Sequence, residues 1–412
     1  MQQAQILKRK VLQMESKDFD ALALDVFRYQ AEYNSVYQKY LQCLQIQIDN
    51  VRTVEQIPFL PIEFFKTQTV VTGENQPKVT FESSGTTGQN TSHHYVKDPE
   101  FYLKVAEQIF EKFYGKLADF KILALLPSYL ERTNSSLVYM VEHFIRKSGN
   151  PNSGFYLDDY ENLAKALIRD RSEESEEMDN SEIQPSDNEY RNKKTLLIGV
   201  TFGLLDFAES GIDLSFLKDH DDLIVMETGG MKGRRKELLR EEVHEILTNA
   251  FSVKTIHSEY GMTELLSQGY SYGEGIFELP VSMRILLRDV NDPFTYISHA
   301  RSGGINVIDL ANIDSCSFIE TKDLGSYQLP VISYQLPVIS EQLPVISEQL
   351  PVISEQLSVS SEQLSVSSEQ LSENSNSETD LPLSVFPQTT AQFRILGRFD
   401  NSDIRGCNLI IS

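Results

Sequence analysis

The chain has 412 residues, enough for more than one domain, and 40% of them are hydrophobic, which is typical of a soluble globular protein. The formal net charge is −23, but it is concentrated: residues 170–189 hold nine acids and one base, and residues 326–380 hold eight acids and no base. Because the acidity is local and no Lys/Arg-rich stripe with interleaved aromatic residues occurs, the composition argues against a nucleic-acid partner.

The cysteines and the N-terminus indicate the compartment. Cys43, Cys316 and Cys407 are far apart in sequence, which argues against a disulfide framework and a zinc site and favours a reducing cytoplasm. Cys43 and Cys316 are predicted to be core residues. The first twenty residues lack the apolar run of a signal peptide. The longest apolar stretch, around Leu196–Phe207, is too short and too mixed to span a bilayer.

Residues 1–75 are predicted to form a helical N-terminal region. In Phe19–Ile46, apolar residues recur at spacings of three and four, and Gly and Pro are absent, which favours helices. Residues 76–325 are predicted to form an α/β body, because short β-rich runs alternate with helical patterns. These runs are KILALLP, TLLIGVTF, DLIVMETGG, VKTIHSEYG and GGINVIDL.

One helix is predicted directly after Gly229 and Gly230, in the segment KELLREEVHEILTNAF. Its apolar residues fall on one face, namely Leu238, Leu239, Val243, Ile246 and Leu247. The two glycines therefore form a turn between a strand and a helix. Open α/β sheets usually bind ligands at such turns, beyond the C-terminal ends of their strands.

Two segments have the composition of insertions. Residues 170–193 are acidic and almost free of apolar residues, which predicts disorder or a solvated loop. Residues 326–391 are predicted to be a low-complexity insertion, and 326–374 consist of seven tandem copies of a heptapeptide that begins as SYQLPVI. A Pro in each of the first four copies excludes a coiled coil. Residues 392–412 are then a returning C-terminal segment that contains Cys407.

The segment FESSGTTGQNTS at 81–92 is the strongest chemical signal. Glycines let backbone N–H groups converge on an anion, and the hydroxyl residues add donors without bulk, so the segment is typical of a phosphate-binding loop. It lacks the Lys of the P-loop. A polar surface loop remains the alternative. His93 and His94 follow it, either lining the site or serving a capping or surface role.

The segment SEYGMTE at 258–264 combines an aromatic ring, a Gly, a hydroxyl and a carboxylate after a β-like run. These groups suit base stacking, a phosphate contact and metal binding. An ordinary strand-to-helix turn with Thr263 as a cap is the alternative. Lys232, Arg234 and Arg235 could contact phosphate, but a solvated basic turn is preferred.

Together these segments resemble the acyl- and aryl-adenylating enzymes, the superfamily of acyl-CoA synthetases, peptide-synthetase adenylation domains and luciferases. The motifs occur in the order of that superfamily: SSGTTG at 83–88, ETGG at 227–230, YGMTE at 260–264, TKDLG at 321–325 and GRFD at 397–400. Longer phrases resemble the bacterial acyl-protein synthetases of the LuxE family, relatives of phenylacetate-CoA ligases. Examples are IPFLPIEFFK, ETGGMKGRRKELLREEV and GRFDNSDIRGC.

The resemblance implies an α/β fold, a large adenylate-forming domain with a helical N-terminus and mixed sheets, together with ATP and Mg²⁺ as cofactors. It also implies a role for each matching residue. The phosphates of ATP would be wrapped by Ser83, Ser84, Gly85, Thr86, Thr87 and Gly88. The rest of the AMP-binding set would comprise Gly229 and Gly230 near the adenine, Tyr260 stacked on it, Gly261, Met262, Asp323 on the ribose, and Arg398 close to ribose or phosphate. Thr263 would contact the α-phosphate, and Glu264 would hold Mg²⁺.

The C-terminus departs from many relatives. Only twelve residues follow Asp400 and none is a Lys, so the usual C-terminal domain is expected to be minimal or absent, and transfer to coenzyme A is in doubt. Acyl-protein synthetases instead transfer the acyl group to a Cys of their own near the C-terminus. Cys407 stands where that Cys would be, and Arg405 could lower its pKa. A small buried Cys that closes a strand is the alternative.

The sequence is compatible with three functions. The first is an acyl-protein synthetase that activates a carboxylic acid, a fatty acid by the resemblance, and passes the acyl group to Cys407 or to a partner such as a reductase or carrier protein. The second is an acyl-CoA ligase. The third is an inactive acyl or nucleotide binder, broken by the repeat tract between Asp323 and Arg398. Because loop insertions cost little entropy as they lengthen, an intact site is favoured.

Overall fold

The structure, a computed structural model, describes residues 2–74, 76–83, 91–126, 134–168, 193–229, 238–297, 302–327 and 392–398. Both insertions therefore lie outside the described residues, apart from Lys193, Ser326 and Tyr327 at their ends. Within the described ranges, no helix is long and apolar enough to cross a bilayer.

The helices have the following bounds: α1 Gln2–Gln13, α2 Phe19–Tyr33, α3 Ser35–Cys43, α4 Phe64–Thr67, α5 Pro99–Tyr114, α6 Ser136–Ser148, α7 Tyr160–Leu167, α8 Thr201–Ala208 and α9 Arg240–Phe251. The strands are β1 Leu60–Pro61, β2 Val79–Glu82, β3 His93–Val96, β4 Phe120–Leu125, β5 Gly154–Phe155, β6 Lys194–Gly199, β7 Leu223–Glu227, β8 His257–Tyr260, β9 Gly269–Ser271, β10 Ile276–Phe277, β11 Met283–Arg288, β12 Ser302–Asp309, β13 Phe318–Tyr327 and β14 Phe393–Arg398.

The helices in the predicted stretch Phe19–Ile46 are separated at Asn34. The backbone of Asn34 leaves the helical region, and its side-chain oxygen accepts the Tyr37 N–H at 3.0 Å, so the residue ends α2 and caps α3. Its amide nitrogen also donates to the Ser315 carbonyl at 2.9 Å. Asn34 therefore both bends the helical region and ties it to the C-terminal part of the chain.

The central sheet has the strand order β5-β4-β6-β7-β8-β9 and is parallel except for the antiparallel β8–β9 pair. Side chains alternate between its faces. In β4, Ile122 and Ala124 join one core, whereas Leu123 and Leu125 join a second core that includes residues of α7, α8 and α9. Helices thus cover this sheet on both faces, as the near-continuous apolar runs predict.

A second sheet has the order β10-β14-β13-β12-β11, with β1 added in parallel to β13. The N-terminal helices are bonded to this part of the chain. Buried Gln30 donates to the Asn312 carbonyl at 2.8 Å and accepts the Ser317 N–H at 2.9 Å. The two strands that flank the repeat tract, β13 and β14, pair antiparallel, with Tyr327 opposite Phe393. The ends of the tract are therefore brought together by strand pairing.

Candidate active site

The hairpin of β2 and β3 frames the Gly-rich segment. Ser83 is the described member of the predicted phosphate loop, whereas Ser84, Gly85, Thr86, Thr87 and Gly88 lie outside the described residues. The Ser83 N–H donates to the Ser92 carbonyl at 3.1 Å, and the Ser92 N–H donates to the Ser83 hydroxyl at 2.9 Å. These two bonds continue the hairpin and hold both ends of the loop together.

His94 on β3 joins this hairpin to the second motif. Its Nδ1 lies 2.8 Å from the carbonyl oxygen of Thr263, and the side chain is buried with its ring edge-on to Phe65. Burial lowers the pKa of His94 to about 4, although the bond to Thr263 opposes that shift. The imidazole is therefore neutral near pH 7, and its Nδ1–H donates to the carbonyl. His93 points elsewhere, with Nε2 3.7 Å from Glu82 Oε1.

Tyr260, Met262 and Asp323 come together. The Tyr260 hydroxyl lies 3.4 Å from Asp323 Oδ2 and 3.8 Å from Met262 Sδ, and both Tyr260 and Asp323 are buried. The Tyr260 ring also packs edge-on against Phe277 and Phe393. Adenine stacking by Tyr260 stays a prediction, because this packing leaves only 6% of the residue exposed.

Asp323 and Arg398 are cross-strand neighbours in the register of β13 and β14. The side chain of Arg398 lies outside the described residues. The backbone of Asp323 is fixed by a bond from its N–H to the Thr321 hydroxyl at 3.1 Å. Thr321 is held in turn by its bond to the Ile305 carbonyl and by Arg288, which donates to the Thr321 carbonyl at 2.7 Å.

The predicted adenine turn follows β7, next to the β8 strand that leads to Tyr260. Gly229 has φ +70°, a left-handed conformation that favours glycine, and its N–H donates to Glu227 Oε2 at 2.8 Å. Gly230 lies outside the described residues. Since β7 and β8 are parallel neighbours, the turn at Gly229 and the segment after Tyr260 lie at the same edge of the sheet.

Glu227 organises this turn, a role that the sequence pattern alone does not indicate. It is buried, accepts the Thr201 hydroxyl at 2.7 Å and lies 4.0 Å from His244 Nε2. Burial alone would raise the pKa of Glu227, but the nearby His244, the Arg240 guanidinium and the Thr201 hydroxyl outweigh burial and hold the pKa well below its usual range. The available signal was its position, at the end of a buried strand and just before two glycines.

Glu264, the predicted Mg²⁺ ligand, is 5% exposed. Its carbonyl accepts the Asn312 side-chain amide at 2.7 Å. Within the described ranges, no group of three or more His, Cys, Asp or Glu side chains converges on one point. A single carboxylate still suits Mg²⁺, which usually takes one or two carboxylates and completes its shell with phosphate oxygens and water.

Asp309 holds the segment that follows Glu264 in place, another role that the sequence pattern alone does not indicate. Its Oδ2 accepts the N–H groups of Leu266 and Ser267 at 2.7 and 2.9 Å, and its Oδ1 accepts the Ser267 hydroxyl at 2.7 Å and the Ala311 N–H at 3.0 Å. Asp309 is fully buried. These bonds hold the segment after the second motif against β12.

The described cysteines differ in exposure. Cys316 is buried as predicted, and burial raises the pKa of its thiol to about 12, so it is an inert core residue. The prediction of a core position for Cys43 is wrong, because it ends α3 on the exposed side. Cys407 lies outside the described residues.

The neutral, buried state of His94 predicts a pH effect on stability. An unfolded His titrates near pH 6.5, whereas folded His94 does so at about 4, so between these values the unfolded chain binds more protons and stability falls as pH falls. His94→Asn keeps an N–H donor for Thr263 but cannot titrate. We expect the loss of unfolding free energy between pH 7 and 5 to shrink by roughly 1–2 kcal/mol in this variant. If urea denaturation shows that the unfolding free energy of the two proteins falls equally between pH 7 and 5, His94 is not the neutral, buried group described above.

Comparison with known proteins gives the fold. No protein-family model and no curated protein matches the chain. Among solved structures, 2-hydroxyisobutyryl-CoA ligase in an open conformation with 2-HIB-AMP and CoA matches with a TM-score of 0.55 and 11% identity, over 76% of this chain and 66% of that chain. The same ligase in its thioesterification state matches with a TM-score of 0.54 and 12% identity, over 77% and 66%.

The chain has the fold of these adenylate-forming ligases. The α/β fold class predicted from the sequence is therefore confirmed. The chain spans 66% of the length of the protein in each of these two ligase structures. The roles of individual site residues stay predictions.

Proposed function

We propose that the chain uses ATP to activate a carboxylic acid as an acyl-adenylate. The observation that carries this proposal is the hydrogen bond from His94 to Thr263, because it joins the hairpin of the phosphate-loop motif to the segment of the adenylate motif. The contact of Tyr260 with Asp323 adds the predicted ribose-binding position to the same segment. The shared fold with adenylate-forming ligases supports the proposal independently.

In the proposed reaction, an oxygen of the substrate carboxylate bonds to the α-phosphorus of ATP. The bond between that phosphorus and the bridging oxygen breaks, and the electron pair leaves with pyrophosphate. Ser83 to Gly88 would hold the β- and γ-phosphates, Thr263 would contact the α-phosphate, and Asp323 would hold the ribose hydroxyls. Glu264 would hold Mg²⁺, which when bound offsets negative charge on the phosphate oxygens.

Exchange of radiolabelled pyrophosphate into ATP tests this reaction. Exchange should depend on an added carboxylic acid, since only reversal of acyl-adenylate formation returns pyrophosphate to ATP. A panel of acids that differ in chain length and substitution would define the substrate. Exchange that does not depend on the acid, or no exchange with any acid of the panel, would contradict acyl-adenylate formation.

We further propose that the acyl group passes to a thiol, as in the acyl-protein synthetases that the sequence resembles. The thiolate of Cys407 would attack the acyl carbon, a thioester would form and AMP would leave. A fatty acid would be the substrate by the same resemblance, and a reductase or carrier protein would accept the acyl group. An acyl-CoA ligase is the second candidate, because the matched structures are CoA ligases.

The Cys407→Ser variant separates these candidates. It should retain pyrophosphate exchange but should not accumulate a hydroxylamine-labile acyl adduct, because a serine hydroxyl is far less ionised than a thiol near pH 7. Intact-protein mass spectrometry after incubation with ATP and a fatty acid measures the adduct. Cys43→Ser is the matched control, since Cys43 is a free and exposed cysteine. An adduct of wild-type size on Cys407→Ser contradicts the covalent route, and rapid turnover with coenzyme A but no adduct favours the ligase.

An inactive relative, broken by the repeat tract, is disfavoured. The strands on either side of the tract pair with each other, and Asp323 still lies opposite Arg398 in their register. A tract that displaced the last strand would disrupt this pairing. In the proposed function, Asp323 and Arg398 therefore both belong to one nucleotide site.

A further inference from the structure

Polar side chains gather on one face of the β8–β9 pair, beside the predicted AMP-binding segment. Glu259 lies opposite Tyr270 in the antiparallel register. Gly261 directly follows β8 and Gln268 directly precedes β9, so both adjoin this pair of residues. None of the roles proposed above uses Glu259, Gln268 or Tyr270.

The surroundings of Gly261 show that the Glu259 and Gln268 side chains lie close together. A Cβ built on Gly261 would lie 2.3 Å from Glu259 Oε1 and 3.7 Å from Gln268 Cγ. The Glu259 carboxyl therefore reaches over Gly261, which belongs to the predicted AMP-binding set, and lies next to the Gln268 side chain. A Cβ at position 261 would displace the Glu259 carboxyl from this position.

Two of these side chains have buried polar atoms with no hydrogen-bond partner within the described ranges. They are the Tyr270 hydroxyl, in a residue 1% exposed, and Gln268 Oε1, in a residue 3% exposed. The Gln268 amide nitrogen does have a partner, the Leu266 carbonyl at 3.2 Å, which orients the free oxygen. A buried polar atom without a partner costs free energy, so a ligand atom that bonds to it gains that energy on binding.

The surroundings of these polar groups are aromatic. The Tyr270 ring packs against Phe110, Phe113 and Tyr114 at centroid distances of 6.1, 5.3 and 5.3 Å. Burial, with the negative charge of Glu227, raises the pKa of Glu259 to about 8, and burial also keeps Tyr270 protonated by raising its pKa. The cluster is thus a small group of polar side chains that offers both hydrogen-bond donors and acceptors and is packed against aromatic rings.

We propose that Glu259, Gln268 and Tyr270 form a polar subsite that binds a hydrogen-bond-donating substituent, a hydroxyl or an amino group, on the carboxylic acid substrate. The inference rests on the proposed function, because Gly261 places the subsite beside the predicted adenylate. Gln268 Oε1 accepts a hydrogen bond from either substituent. The Tyr270 hydroxyl donates a hydrogen bond to a substrate hydroxyl, whereas its oxygen accepts one from a protonated amino group. An unsubstituted alkyl chain satisfies neither atom, so the subsite selects a carboxylic acid with a hydroxyl or amino substituent, including a substituted fatty acid, over its unsubstituted counterpart.

Isothermal titration calorimetry on the full chain tests the subsite directly. The ligands are hexanoic acid and its derivatives with a hydroxyl or an amino group at successive carbons. We expect at least one derivative to bind about tenfold or more tightly than hexanoic acid, as two extra hydrogen bonds would give. The hydroxyl and amino series decide between the two kinds of substituent.

Tyr270→Phe and Gln268→Met each remove one bonding atom with little change in shape. In either variant the preference for the derivative over hexanoic acid should fall below about threefold. Tyr272→Phe is the matched control, because its hydroxyl already donates to the Phe113 carbonyl at 2.8 Å. It should keep the full preference. Two separate variants keep the test valid if one of them fails to fold.

The outcomes distinguish this inference from the proposed function. Hexanoic acid binding as tightly as every derivative, or a preference that survives in both variants, overturns the subsite. Pyrophosphate exchange with hexanoic and substituted acids at equal efficiency leaves adenylation standing and overturns the subsite. Selective binding of a derivative without any exchange supports the subsite and contradicts adenylation. No binding of any acid overturns the subsite.

Discussion

Replacing Glu264 with Gln should lower carboxylate-dependent pyrophosphate exchange by about a hundredfold or more, without unfolding the protein. The substitution keeps the shape of the side chain but removes the negative charge proposed to hold Mg²⁺ beside the phosphates. The fold should survive because the contact to Asn312 is made by the Glu264 backbone carbonyl, which the variant retains. Thermal melting followed by circular dichroism should therefore match wild type.

Glu245→Gln is the control for this variant. Glu245 is an exposed residue of α9, so removing its charge tests the effect of lower net charge alone. It should exchange at the wild-type rate at the same Mg²⁺ concentration. Wild-type exchange by Glu264→Gln, at low as well as high Mg²⁺, would show that Glu264 holds no metal.

Asp309→Asn should lower the free energy of unfolding by about 2–4 kcal/mol. Both carboxylate oxygens of Asp309 accept two hydrogen bonds in a fully buried position. Asn replaces one oxygen with an NH₂ group, so donors then face donors on one side, whichever way the amide is turned. Urea denaturation followed by circular dichroism measures the loss.

The matched control is Asp292→Asn. Asp292 also accepts hydrogen bonds, from the Phe294 N–H at 3.0 Å and the Thr295 hydroxyl at 2.7 Å, but it is exposed in a turn. Water can replace these bonds, so the change should cost less than about 1 kcal/mol. Equal losses in the two variants would contradict the view that Asp309 is a buried support for the segment after Glu264.

The sequence predicted the strands better than it predicted their ends. The run TLLIGVTF reads as one β segment, but β6 stops at Gly199 and α8 begins at Thr201. A Cβ on Gly199 would lie 3.0 Å from Leu125 Cβ and 3.1 Å from Leu204 Cγ, so strand and helix pack tightly at this turn. Apolar composition does not distinguish a buried strand from the buried start of a helix.

The helix after the Gly229 turn is a second element whose boundary the sequence does not predict. Val243 and Leu247 are buried as their spacing predicts. The same spacing places Leu239 on the buried face, but Leu239 precedes the first residue of α9 with an extended backbone and is 38% exposed. The periodicity identified the helix, while its start depends on backbone geometry that periodicity does not contain.

For the candidate site, the sequence identified motif segments but not the contacts that join them. The bond from His94 to Thr263 spans 169 positions, and the bond from Leu266 to Asp309 spans 43. The local sequence around His94 or Asp309 does not indicate that they contact Thr263 and Leu266. Such supporting residues become visible only when the sheets bring distant segments together, and they explain how the segments are held in place.

The most direct test of adenylation is the fate of the carboxylate oxygens. The chain is incubated with ATP, a thiol acceptor and a carboxylic acid that carries oxygen-18 in both carboxylate positions, and the nucleotide product is analysed by mass spectrometry. If the carboxylate attacks the α-phosphorus, the product is AMP with one labelled oxygen, because later attack by the thiol at the acyl carbon leaves that oxygen on the phosphate. Unlabelled AMP, or ADP with the label in inorganic phosphate, would contradict the account.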